Sequence, residues 1–513
     1  MESKEFAKQY ALDWLDQNSS SVTDVSDRIW LYAEPILSEH RSVQYMAKVL
    51  SDAGYDVEVG TAGLETAFEA TCGKGSPVVC TYAEYDNIPG NSQMPIPYPC
   101  PVIPGLSQGS YDMHHGLGAG AIGAALAVIK AKEKYDIPGT FKIFGTPAEK
   151  TSIGKNVMEN AGVFDGLDAC VAWHPGEETS SDTFWKRQIR CNNYTCHTFK
   201  GMSVYGAMPW GGKNALHAAE LMDIAVQFQK ESIIPIDHLP NIQSILSKEV
   251  MNYAISTVPG IAQVKYISRA CFRKDQERIQ KKLFDCANAA ALAVGLEVNN
   301  EVLTGTWEGC PSTTLAKLAY KNIEKIGAPK FTEDEIEYGQ LVQNEAGVVL
   351  NDKNMTPFGD VRLIPPEEKP FYKTMSTTDT STLTWKCPTV MIRVNYMHFG
   401  WPDWASSSWA ITKIAHKSIM TAAKIMTATI LDLYQKPNYL NDAKEEHERM
   451  VSEVKWYNPM PKGRDIPKGG KMPARHYLDV IEAFKKGPKW KNWEQEINER
   501  MERISNSIQE ELV

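Results

Sequence analysis

The sequence predicts an α/β protein interrupted by an α+β insertion, and three observations carry that reading. Strand and helix signals alternate through the first third, a β-α-β-β-α-β run fills the middle, and α/β character returns after it. At 513 residues the chain is long enough for two or three structural units. In order, helical spacing runs from Glu2 to Asp16 and from Val22 to Ala53, ahead of strand-like segments at Tyr55 to Val59 and Ala67 to Thr71. The apolar run Pro77 to Ala83 reads as a buried strand that ends in Glu84-Tyr85-Asp86. A Pro-rich loop from Pro89 to Pro104 leads to His114-His115 and a Gly/Ala helix whose small residues permit close packing. Two further buried strands follow: Gly139 to Thr146 delivers Pro147-Ala148-Glu149-Lys150, and Ala169 to Trp173 delivers His174-Pro175. Strand ends within one sheet converge, so Asp86, Glu149 and His174 are expected to share a cleft.

From about Arg190 the pattern becomes strand (Tyr194 to Phe199), amphipathic helix (Asn214 to Gln229) and strands at Tyr253 to Ile255 and Ala262 to Ile267. A helix from Asp275 to Val294 and a strand from Glu297 to Leu303 complete a ferredoxin-like order. The remainder holds a helix near Thr313 to Ile326, the apolar run Pro388 to Ile392 and a long helix from Ser406 to Tyr434. The tail beyond Lys436 is dense in Lys, Glu, Pro and Gly, and Trp490 to Leu512 reads as a solvated helix or partner contact. The expected units are therefore 1–189, an insertion 190–307, a return 308–436 and an extension 437–513.

With 43% hydrophobic and 23% charged residues, the composition is that of a globular chain. A net charge of −9 without a Lys/Arg stripe argues against nucleic-acid and anionic-membrane partners, and leaves a small-molecule substrate or another protein. The charged start Met1 to Phe6 does not read as a signal peptide, and Gly116 to Ile129 is too short to span a bilayer. Ten cysteines without a C-x-x-C pair read as reduced thiols, so a cytoplasmic location is expected.

These motifs, in this order, resemble the aminoacylase and carboxypeptidase-G family of dinuclear zinc amidohydrolases, and within it the branch of the aminobenzoyl-glutamate hydrolase B subunits. The resemblance runs from the N-terminal helix to about Pro437. It rests on Ala83-Glu84-Tyr85-Asp86, Gly145-Thr146-Pro147-Ala148-Glu149, Gly162 to Ala169 leading into Trp173-His174-Pro175, Phe199-Lys200-Gly201, Asn214 to Met222, and Ala415-His416-Lys417. It implies a zinc-peptidase-like catalytic domain with a central mixed sheet, and a ferredoxin-like lid domain through which a homodimer forms.

The resemblance breaks at the metal ligands. The family's G-H-G-C-G-H-N segment corresponds to His114-His115-Gly116-Leu117-Gly118-Ala119-Gly120, so Leu117 and Ala119 stand where a cysteine and a histidine bind zinc. The P-A-E-E motif reads Pro147-Ala148-Glu149-Lys150, which keeps the general base and replaces a ligand by an ammonium. Gly400-Trp401-Pro402-Asp403-Trp404 puts Trp404 or a neighbour at the position of the family's late histidine ligand, and Tyr205 stands for the histidine that the family's lid contributes. Because zinc needs three or four N, S or O donors and only His174 survives, the expectation is that no dinuclear zinc site and no cofactor remain. The expected enzyme is a metal-independent hydrolase of an amide, imine or related C–N bond in a small aromatic or N-acyl amino-acid-like substrate. Glu149, Lys150, Tyr205, His174 and Asp86 are its catalytic candidates, and His115, Trp404, His398 and Trp210 are candidates for substrate binding. A pseudoenzyme that binds a ligand or partner, and a pocket reused for cyclisation or elimination, are the alternatives.

Overall fold

A computed structural model describes the chain except residues 1, 105–107, 110–111, 184–188, 239, 247–253, 348–357, 360–362, 369–376, 397–401, 491–492 and 513. An eight-stranded mixed sheet lies at its centre, in the order Asp56–Val59, Phe68–Lys74, Gly139–Gly145, Val78–Ala83, Ala169–Gly176, Thr389–Asn395, Thr179–Thr183, Leu363–Ile364. The four strands in the middle, from Gly139–Gly145 to Thr389–Asn395, run parallel. Their near-continuous apolar runs follow from burial on both faces. Alternate side chains enter different cores: Val79, Phe141, Ile143, Val171 and Trp173 face one, while Cys80, Tyr82, Phe144, Cys170 and Ala172 face the other.

Helices Glu2–Gln17, Ser19–Tyr32, His114–Tyr135 and Lys413–Gln435 pack together over the first face. The Gly/Ala composition of His114–Tyr135 has a steric cause. A Cβ on Gly118 would lie 2.9 Å from the Glu84 carbonyl oxygen, and one on Gly120 would lie 2.5 Å from the Trp173 indole nitrogen. That nitrogen donates to the Leu117 carbonyl at 3.1 Å, which fixes the helix against the strand carrying His174.

The insertion has the predicted order of strands and helices, but its second strand is Asn241–Leu246 and not the expected Tyr253 to Ile255, of which Tyr253 lies outside the described residues and Ala254 and Ile255 are not in a strand. Strand Cys191–Lys200, helix Ala215–Gln229, strands Asn241–Leu246 and Ile261–Ala270, helix Arg273–Val294 and strand Glu297–Thr306 follow in order. They form an antiparallel sheet with strand Asn241–Leu246 at one edge. Phe199, Met222, Ile279 and Leu283 belong to its separate core. Both ends of the insertion are tied to the segment that follows Glu149. The Tyr194 hydroxyl donates to the Lys150 carbonyl at 3.0 Å, and the Asn156 amide donates to Thr304 Oγ1 at 3.1 Å and to the Gly305 carbonyl at 2.6 Å.

The tail departs from its expected solvated or partner-bound state. Helix Glu494–Leu512 buries Ile497, Met501, Ile504 and Ile508 against its own chain, while Arg500 pairs with Asp27 at 2.6 Å. Among the described residues no helix is long and apolar enough to cross a membrane, and all ten cysteines are free thiols.

Candidate metal centre

Four backbone segments meet beyond the carboxyl ends of the parallel strands. Strand Val78–Ala83 leads into Glu84 and Asp86, Gly139–Gly145 into Glu149 and Lys150, and Ala169–Gly176 carries His174. The fourth segment is the start of helix His114–Tyr135, which Met113 introduces in the left-handed region at φ 67°. Ala148 (φ 58°) and Ser152 (φ 53°) also have positive φ, so the turns that aim Asp112, His114 and Glu149 are strained.

Asp86 organises the cluster. Its Oδ1 lies 2.6 Å from His114 Nδ1, and its Oδ2 accepts the Lys150 backbone N–H at 3.0 Å. A carboxylate only accepts, so Nδ1 carries a proton and Nε2 is turned into the pocket. Nε2 lies 3.4 Å from Asp112 Oδ1 and 3.6 Å from both Glu84 Oε2 and Glu149 Oε2. His174 Nδ1 sits 2.9 Å from the Pro175 carbonyl. The ligand atoms of Asp112, His114 and His174 lie within 4.8 Å of one another, and so do those of Glu84, His114 and Glu149.

These residues fit a divalent transition ion. His114 Nε2 and Asp112 Oδ1 are buried and have no hydrogen-bond partner of ordinary geometry among the described residues. Such groups are costly unless something fills the space between them. Two donors on a tetrahedral ion at ~2.0–2.1 Å stand ~3.3–3.4 Å apart, which matches the 3.4 Å between Asp112 Oδ1 and His114 Nε2. Burial disfavours the His114 imidazolium, yet Asp112 and Asp86 outweigh it and raise the ring well above an ordinary histidine. The same carboxylates would favour a metal cation at Nε2, which must displace that proton to bind. Asp112 is held well below the usual carboxylate range because His114 and Lys150 overcome its burial.

The other charges are matched in pairs. The fully buried Lys155 ammonium donates to Glu84 Oε1 and Asp379 Oδ1, both at 2.6 Å. The Lys150 ammonium donates to Asp112 Oδ2 and lies 3.9 Å from Glu149 Oε2. Burial, reinforced by Glu84, pushes Glu149 up to about 8, and burial lowers His174 to about 4.

The structure brings Asp86, Glu149, Lys150 and His174 together. His115 turns elsewhere: it is buried, with Nε2 2.8 Å from the Ala410 carbonyl. Tyr205 and Trp210 are 62% and 81% exposed on the insertion. Trp404 is half-buried and packs against the main core, beside Asp403, which burial and Asp112 raise. His398 lies outside the described residues.

Sequence reasoning passed over Asp112, Lys155 and Asp379; it noted Glu84 and the pair His114-His115, but named Asp86 and His115 as the candidates. The expected loss of the metal site is not supported, because matching the family segment to Leu117 and Ala119 hid an alternative pair. Asp112-Met113-His114 has the C-x-H spacing of the family segment with aspartate for cysteine, five residues before Leu117 and Ala119. Gly118 and Gly120 are packing residues and do not mark ligand positions.

Comparison with known proteins agrees with this architecture. Over 88% of its length the chain is 29% identical to the p-aminobenzoyl-glutamate hydrolase B subunit of Escherichia coli, spanning 96% of that protein. It is 25% identical to the Xaa-Arg dipeptidase of Mus musculus, over 72% of this chain and 80% of that one. Among solved structures, a putative aminohydrolase from methicillin-resistant Staphylococcus aureus shares the fold with a TM-score of 0.54 and 14% identity, over 83% of this chain and 99% of that one. No family model matches the chain. By sequence and fold it is amidohydrolase- and peptidase-like.

Proposed function

We propose that this amidohydrolase- and peptidase-like chain is a metal-dependent hydrolase that cleaves the amide bond of an N-acyl or N-aroyl amino acid. The observation that carries the reading is the pair of unpartnered buried atoms, His114 Nε2 and Asp112 Oδ1, facing each other beside Glu149. Asp112, His114 and His174 would hold the ion, and Asp86 fixes the His114 ring from behind. When bound, a divalent ion supplies Lewis acidity toward a carbonyl oxygen and makes water a better nucleophile.

Glu149 takes the proton from the attacking water and returns it to the leaving nitrogen. Positive charge in the pocket lowers its proton affinity from the raised value towards that of a base working near neutral pH. The Lys150 ammonium steadies negative charge developing on the substrate, and Lys155 holds Glu84 in place from the buried side. The relatives named for aminobenzoyl-glutamate and for Xaa-Arg dipeptides support a substrate with an amino-acid leaving group. Trp404, Trp210 and His398 remain candidates for contact with its acyl side.

Residues 1–189 and 308–436 are read as the catalytic unit, 190–307 as a lid and 437–513 as a brace. A second copy of the chain is the proposed partner of the lid, bringing Tyr205 to the neighbouring pocket. The free thiols favour a reducing, cytoplasmic setting.

Glu149→Gln keeps the shape of the pocket and removes the base. On a panel of aroyl- and acyl-amino acids it is expected to lower kcat by ~10²–10⁴-fold while bound metal is unchanged. Wild-type turnover with no loss in the variant would overturn the assignment.

A further inference from the structure

We infer that the pocket holds one divalent ion and that the Lys150 ammonium is the fixed charge standing where a second ion would bind. The inference rests on the proposed metal site and adds its stoichiometry. Among the described residues the two metal-capable groups, Asp112–His114–His174 and Glu84–His114–Glu149, share one atom, His114 Nε2. An imidazole nitrogen has a single lone pair, and the other ring nitrogen is committed to Asp86 at 2.6 Å. Both groups therefore cannot be filled together.

A bridging carboxylate would need both oxygens, and Asp112 offers one. Its Oδ2 accepts from the Lys150 ammonium, while Oδ1 is the unpartnered atom facing His114. On the other side, Lys155 holds Glu84 through Oε1 and is itself fully buried between Glu84 and Asp379. The group with two imidazoles and an open carboxylate oxygen is thus the one that takes the ion. Charge agrees with this count. Fully ionised, Glu84, Asp86, Asp112, Glu149 and Asp379 face the ammonium groups of Lys150 and Lys155, and one divalent ion removes most of the negative charge that remains. A second dication would sit against the Lys150 ammonium.

The test is equilibrium dialysis of the metal-stripped full-length chain against Zn²⁺, with bound metal measured by elemental analysis. Wild type is expected to bind one ion per chain, and Lys150→Glu, which frees Asp112 Oδ2 and adds a carboxylate donor, is expected to bind two. Two ions in wild type would overturn the inference and leave the hydrolase reading standing, whereas none would overturn both. One ion in a folded Lys150→Glu variant would overturn the role given to Lys150. Should that variant not fold, electron paramagnetic resonance of wild type saturated with Mn²⁺ decides the matter. An isolated-ion signal supports the inference, and an exchange-coupled pair contradicts it.

Discussion

Asp86 touches no metal in this account, yet it decides what His114 can do. Its Oδ1 holds the proton on Nδ1 while its Oδ2 holds the Lys150 backbone, so one side chain sets both the ligand and the neighbouring ammonium. Asp86→Asn keeps an acceptor and removes the charge, and it is expected to weaken metal affinity ~10–100-fold. Competition with a chromophoric chelator measures this, and unchanged affinity would show that the contact is only structural. At this scale the sequence was partly legible. Asp86, Glu149 and His174 sit at strand ends, where topology gathers side chains whatever the loops do. Asp112 and His114 follow a long Pro-rich loop, and only the local spacing Asp-x-His marks them. Lys155 and Asp379 are 224 residues apart in sequence and meet only in the folded protein.

Among the elements, the insertion was the most legible, because alternating strands and amphipathic helices each bury one face and write that period into the sequence. What it leaves uncovered points to association. Edge strand Asn241–Leu246 exposes Ile245 (67%) and Leu246 (50%), and helix Ala215–Gln229 exposes Ile224 (52%) and Phe228 (79%). A strand edge unpaired among the described residues and bordered by apolar side chains invites a second chain. Sedimentation of wild type is expected to show two chains, and Phe228→Asp with Ile245→Asp is expected to give monomers. A monomeric wild type at micromolar concentration would contradict the dimer. The tail helix was legible in its spacing but not in its partner, since the Arg500–Asp27 pair joins residues nearly a chain length apart.

Across the whole molecule, composition and charge set the class of protein, while the placement of buried ionisable groups sets its response to pH. The clearest case away from the pocket is His197 in the insertion. It is buried, with Nδ1 2.6 Å from Asn300 Oδ1 and Nε2 3.0 Å from Thr195 Oγ1, and burial lowers it to about 4. Its folded pKa lies below its unfolded value near 6.5, so the unfolded chain binds the extra proton first. Its contribution to stability is therefore lost as pH falls from about 6.5 towards 4. The stability difference between wild type and His197→Asn is expected to narrow by roughly 2 kcal/mol between about pH 7 and pH 5 in urea unfolding. A difference that stays constant over that range would mean that His197 takes up a proton in the folded state.

The central claim is that a metal held by Asp112, His114 and His174 is needed for hydrolysis, and chelation tests it most directly. Turnover of an aroyl-amino acid, p-aminobenzoyl-glutamate first, would be followed before and after exhaustive dialysis against a chelator, then on adding back Zn²⁺ or Mn²⁺. The account predicts that activity is lost with the metal and returns with it. Turnover that persists in metal-free protein would contradict it and assign the chemistry to Glu149 and Lys150 alone.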